Sequence, residues 1–132
     1  MKPVRYSFSI DITPKKVIQR ISEHPQFVVP DNYVFVAASS DLNLSYCIST
    51  TIIAYKVDMT AVMIGHIFKP CSISTKLTDT EYNQKVYEVL AEHGRELKAL
   101  NIKNLKWGID CNGVPFDAVT SFCNNSSVVC GI

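Results

Sequence analysis

The chain has 132 residues, of which 47% are hydrophobic and 19% charged, with a formal net charge of +1. That length suits one domain with one core, and the apolar content excludes a disordered chain. A charge this close to zero excludes a broad basic field as the means of holding nucleic acid, so any such contact must come from a local patch or through metal ions. No apolar run is long enough to span a bilayer, and Met1-Lys2-Pro3-Val4-Arg5 lacks the apolar stretch of a secretory signal; no membrane contact and a cytoplasmic setting are expected. Five cysteines (Cys47, Cys71, Cys111, Cys123 and Cys130) form no C-x-x-C pair and read as small buried apolar residues rather than zinc ligands.

Residues 1–32 read as an N-terminal arm packed against the domain that follows, residues 33–132. Within the arm, Thr13 caps a short helix that begins at Pro14 and carries Val17, Ile18 and Ile21 on one stripe. Val29-Pro30-Asp31-Asn32 then breaks the chain. Tyr33 to Ala38 is a continuous apolar run, as expected of a strand buried on both faces. Tyr46 to Tyr55 is rich in β-branched residues and reads as a second strand. Lys56-Val57-Asp58-Met59 makes a hairpin connection to a third, Thr60 to Phe68, which Lys69-Pro70 ends.

Thr78 and Glu81 have the spacing of a capping box. The helix they open carries Tyr82, Val86, Val89, Leu90, His93, Leu97 and Leu100 on one face, with Asn101 at its end. Gly94 costs that helix about 1 kcal/mol relative to alanine. Leu105, Trp107 and Ile109 alternate in a fourth strand. Asn112-Gly113 turns the chain, Pro115 opens a second helix with Phe116, Val119, Thr120 and Cys123 on one side, and Asn124 to Ser127 stops it. Val128-Val129-Cys130 is the last strand.

The predicted order is therefore β-β-β-α-β-α-β, an α/β fold with a mixed five-stranded sheet. It is the order of the ribonuclease H-like fold. A helical crossover after three antiparallel strands returns the chain parallel to the first, right-handed in nearly all such connections. The order then brings Asp41, after the first strand, and Asp110, after the fourth, to one edge of the sheet. The helix start at Asp79 and Glu81 is expected at the same edge. Converging carboxylates there suit hard divalent cations, and pairs of such ions hydrolyse phosphodiesters.

The segments Val29-Pro30, Tyr33 to Asn43, and Trp107-Gly108-Ile109-Asp110-Cys111-Asn112-Gly113, with Phe116 to Val119 and Phe122-Cys123 beyond, resemble the nuclease domain of phage terminase large subunits of the lambda type. The resemblance covers most of the chain from Val29 onward and rests on short motifs. It implies a ribonuclease H-like, metal-dependent endonuclease that cuts double-stranded DNA during viral genome packaging, in the host cytoplasm, with two Mg2+ or Mn2+ ions. It also implies a motor ATPase domain and other packaging proteins as partners. The chain has no G-x-x-x-x-G-K-[ST] phosphate loop, so it reads as an excised nuclease piece or a stand-alone relative. The family supplies a further acid towards the C-terminus, whereas here nothing acidic follows Asp117, as in a C-terminally shortened domain.

Asp41 and Asp110 are the expected catalytic residues and metal ligands, with Glu81 and Asp117 as further candidate ligands. Each has a plainer reading: turn residues for the first pair, a cap for Glu81, a helix-dipole partner for Asp117. Asn43, Lys69 and Lys76 are candidate nucleic-acid contacts, against a structural or solvated-loop role. His66 and His93 read as satisfied core histidines and Trp107 as core packing. An alternative function from another class stays open, a non-catalytic binding module such as an inhibitor, immunity or anti-defence protein on an α/β scaffold.

Overall fold

A computed structural model describes residues 25–110, 116–126 and 128–131. The helix expected at 14–21, the Asn112-Gly113 turn and Pro115 lie outside the described residues. The elements are β1 (Phe35–Asn43), β2 (Cys47–Tyr55), β3 (Ala61–Pro70), α1 (Asp79–Ala99), β4 (Leu105–Asp110), α2 (Phe116–Ser126) and β5 (Val129–Gly131). They form one mixed sheet in the order β3-β2-β1-β4-β5, four main strands with the three-residue β5 at one edge. β1, β2 and β3 pair antiparallel, and β4 lies parallel to both β1 and β5. Among the described residues no helix is long and apolar enough to cross a membrane.

Both helices pack on one face of the sheet. Thr78 caps α1 as its spacing predicts, its hydroxyl accepting the Glu81 N–H. The α1 stripe of Val86, Leu90, His93 and Leu97 is buried. It meets Ile48, Ile52 and Ile109 from the strands, and Val119 and Phe122 from α2. Burying one such aliphatic side chain is worth about 1.5–3 kcal/mol. Asn101 closes α1 in the left-handed region at φ 57°, a conformation asparagine tolerates better than most residues. Gly94 has a packing reason: a Cβ there would meet Trp107 Cζ3 at 3.1 Å, so glycine lets the indole lie close against the helix.

The continuous apolar run at Tyr33 to Ala38 does not make a strand buried on both faces. β1 alternates strictly, Val36, Ala38, Ser40 and Leu42 facing the helices and Phe35, Ser39, Asp41 and Asn43 exposed. The strand also runs on through Asp41 instead of stopping before it. Both changes have one cause, since the two helices cover one face only and the described residues place no layer over the other.

In β3 the register slips, with Ile52 opposite Gly65 but Ile53 opposite Met63. Ile64 is the extra residue of this bulge, and its carbonyl accepts the Phe27 N–H at 2.9 Å. The Phe27 ring occupies the space a Cβ on Gly65 would fill. Gly65→Ala is therefore expected to displace that ring and cost about 1–3 kcal/mol. Denaturant unfolding checks this, with the cost largely gone in a Phe27→Ala background.

Candidate functional site: paired aspartates on the open face

Asp41 and Asp110 are register partners on the parallel strands β1 and β4. Their inward neighbours Leu42 and Ile109 are buried under the helices, so strand alternation turns both carboxylates to the open face. Adjacent strands lie about 4.8 Å apart, which places both within joint reach of one cation. Asp41 sits between two neighbours, since its register partner on β2 is Ser49. Two like charges side by side repel unless a cation intervenes. Both residues are exposed, and the backbone carrying them is fixed by ladders on three strands.

The other two candidate ligands do not join them. Among the described residues no three His, Cys, Asp or Glu side chains come together in a way that could hold a metal ion. Glu81 belongs to the helix layer, where its carboxylate accepts the Thr78 hydroxyl at 2.8 Å. Asp117, exposed in the first turn of α2, faces a shallow groove beside Tyr87 and Glu88 of α1. The element order does carry the start of α1 to the expected end of the sheet. The layer defeats the expectation, because α1 packs behind the face on which the aspartates emerge.

Lys69 is a correction. It was expected at the rim as a phosphate contact, but it is only 9% exposed and lies under α1. Its ammonium donates to Glu96 Oε1 at 2.7 Å and approaches Glu92 at 3.5 Å. Burial pushes its pKa down, but the bond to Glu96 and the charges of Glu96 and Glu92 outweigh that and raise it. Asn43 Oδ1 accepts the Ser45 hydroxyl at 3.1 Å, closing the β1–β2 turn. Lys76 is exposed in the loop before α1, its backbone N–H donating to Ser74 Oγ.

The two histidines part company. His93 is a fully buried core residue, as expected, bonded to Thr50 Oγ1 at 2.7 Å. His66 is not in the core. It lies on the open face between Ser49 and Thr51, each hydroxyl 3.0 Å from one ring nitrogen. The bulge exchanges the faces of the residues after it, sending His66 and Phe68 outward and Lys69 inward. Gly65 within a strand pattern was the available sign of it.

Cys123 is buried and Cys47 and Cys71 are half-buried free thiols, in keeping with the expected apolar role; Cys111 lies outside the described residues. The Cys71 thiol donates to the Leu44 carbonyl at 3.4 Å, and burial first, then Cys47, raises its pKa.

The chain matches no protein-family model and no curated protein sequence. Its structure is similar to part of the crystal structure of an Aquifex aeolicus member of the Ppx/GppA protein family, at 18% identity and a TM-score of 0.47. That match covers 73% of this chain and 34% of the other. The type II variant of the Aquifex aeolicus Ppx/GppA phosphatase gives 17% identity and a TM-score of 0.47, covering 74% and 35%. The chain thus spans about a third of the length of either.

Proposed function

We propose that the chain is a ribonuclease H-like nuclease domain of the kind found in viral DNA-packaging terminases, acting on double-stranded DNA with Mg2+ or Mn2+. One observation carries the reading: Asp41 and Asp110, far apart in sequence, are direct register partners on adjacent parallel strands. The strand order and the motif resemblance support it. The donor chemistry fits a hard cation held by one or two carboxylates, with water and substrate phosphate completing its shell. The bound ion supplies Lewis-acid activation of water and neutralises charge on the scissile phosphate.

The protein's own part is positional. Asp41 and Asp110 hold the ion on a backbone fixed by three strands. With a net charge of +1, the chain leaves phosphate attraction mainly to that ion. Two ions were expected, but among the described residues no third His, Cys, Asp or Glu joins this pair, which supports one ion held by the chain itself. A motor ATPase domain and other packaging proteins remain the partners this reading implies.

A second reading has its own observation. Met63 and Phe68, on the same open face, are 62% and 67% exposed, which suits a non-catalytic module that docks through this surface. Calorimetric titration with Mn2+, thermal melting with and without the ion, and incubation with supercoiled plasmid separate the two. The nuclease reading expects binding, a raised melting temperature and nicked or linear DNA. Silence in all three experiments would overturn it in favour of the docking module.

A further inference from the structure

The cleft between the two helices near the start of β4 has the features of a second site. Leu105 to Asp110 spans about 16 Å at strand rise, so the cleft is well separated from the aspartate pair. On α1, Ala91, Gly94, Arg95 and Lys98 fall at i, i+3, i+4 and i+7 and form one stripe facing it. The two small residues of that stripe put little side-chain volume into the cleft, a cavity of about 620 Å3. Ligand sites run from about 300 to 1,000 Å3.

The lining is chemically one-sided. Its charged side chains are Arg95 and Lys98, since Lys106 shares the outward parity of Asp110 and lines the cavity only from the strand, and no carboxylate lines it. The ion pairs among the described residues use neither of these two cations, and Glu92 and Glu96, the acids nearest them on α1, turn to Lys69. The wall is aromatic, with Trp107 and Phe122 edge to face at 5.6 Å. Asn101 and Asn125 add carboxamides that both donate and accept. The C-termini of both helices border the cleft and together bring about one negative charge, which the two cations exceed.

We propose that this cleft binds a small aromatic dianion of the nucleoside monophosphate type, its flat ring against Trp107 and Phe122 and its phosphate between Arg95 and Lys98. Arginine's planar fork matches two phosphate oxygens at once, and lysine adds a point charge. A dianion answers two cations better than a carboxylate does. The inference stands independently of the reading given to Asp41 and Asp110.

Trp107 is the only tryptophan in the chain, so selectively excited indole emission reports this cleft alone. The full chain is titrated with adenosine 5′-monophosphate, adenosine and inorganic phosphate in separate arms. The monophosphate is expected to change Trp107 emission saturably, with adenosine and phosphate each at least tenfold weaker. Arg95→Glu/Lys98→Glu is expected to lose at least tenfold in affinity while Asp110→Asn keeps it. Both α1 positions are exposed, and thermal melting verifies the fold; if charge reversal unfolds the chain, Arg95→Gln/Lys98→Gln gives a smaller loss of the same kind. Equal binding of adenosine, equal binding of bare phosphate, undiminished affinity in the folded α1 variant, or no saturation at millimolar ligand would each overturn the proposal.

Discussion

Asp41→Asn raises the melting temperature of the metal-free chain by about 1–4 °C, and Asp41→Asn and Asp110→Asn each abolish its response to Mn2+. The two effects have opposite signs and one origin. Like charges directly opposite each other on neighbouring strands destabilise by about 0.2–1 kcal/mol, and a domain of this size gains several degrees per kcal/mol. Asparagine keeps the shape of the side chain and removes that pairwise repulsion. The same substitution leaves one carboxylate where two held a cation. Plasmid cutting in Mn2+ then falls to background in either variant. A purely structural role for these residues predicts a different pair of results, unchanged or lowered stability and an unaltered metal response. Differential scanning calorimetry at low ionic strength, where exposed charges are least screened, reads both effects at once.

His93→Ala is expected to lower stability by about 3–5 kcal/mol, the largest loss from any single polar residue described here. Its ring is the centre of a buried chain of hydrogen bonds. Trp107 Nε1–H donates to Ser40 Oγ at 2.8 Å, Ser40 and Thr50 hydroxyls lie 2.6 Å apart, and Thr50 Oγ1 lies 2.7 Å from His93 Nε2. His93 Nδ1 faces Glu96 Oε2 at 3.3 Å. The indole can only donate and the carboxylate can only accept. With a neutral ring protonated at Nδ1, one direction satisfies every member: indole to Ser40, Ser40 to Thr50, Thr50 to His93, His93 to Glu96. Thr50→Val breaks the chain at its middle. The cost of the double variant should fall short of the sum of the two single costs, because either change already orphans the same groups.

The same chain makes stability depend on pH. Burial lowers the pKa of His93 from its ordinary 6.5; Glu96 opposes this and Lys69 adds to it. Below 6.5 the unfolded chain binds a proton that the folded one refuses, so stability falls as the pH drops from 6.5 towards the folded pKa. The slope is about 1.4 kcal/mol per pH unit where only the unfolded form is protonated. Protonation would also give Nε2 a hydrogen and force Thr50 to reverse its hydroxyl. Glu96 reinforces the trend at lower pH. Its bond to Lys69, first among the causes, depresses its pKa, so its contribution is present above its ordinary 4.5 and lost on acidification. Melting curves between neutral pH and pH 5 should show the drop in the parent chain and a flatter profile in His93→Gln.

The element order was legible in the sequence because each element announces itself locally. Thr78 and Glu81 start a helix, a period of 3.6 sustains it to Leu97, and β-branched alternation marks β2. The pairing of Asp41 with Asp110 followed from that order, since a helical crossover after three antiparallel strands has one common outcome. Which face each residue occupies was less legible. The bulge at Ile64 reverses the parity of β3, and that reversal buries Lys69 and exposes His66. No periodicity reports a one-residue slip whose cause is the approach of Phe27 and the fit against β2. The buried chain from Trp107 to Lys69 was likewise invisible, because it joins five segments whose only link is that they meet inside the core.

Hydrophobic period and turn chemistry, which depend on near neighbours along the chain, determined the sequence of strands and helices and the adjacency of the two aspartates. Tertiary packing alone decided that the aspartates share an open face while Glu81 and Asp117 stay with the helix layer, because the side of the sheet on which a helix settles depends on contacts between residues distant in sequence.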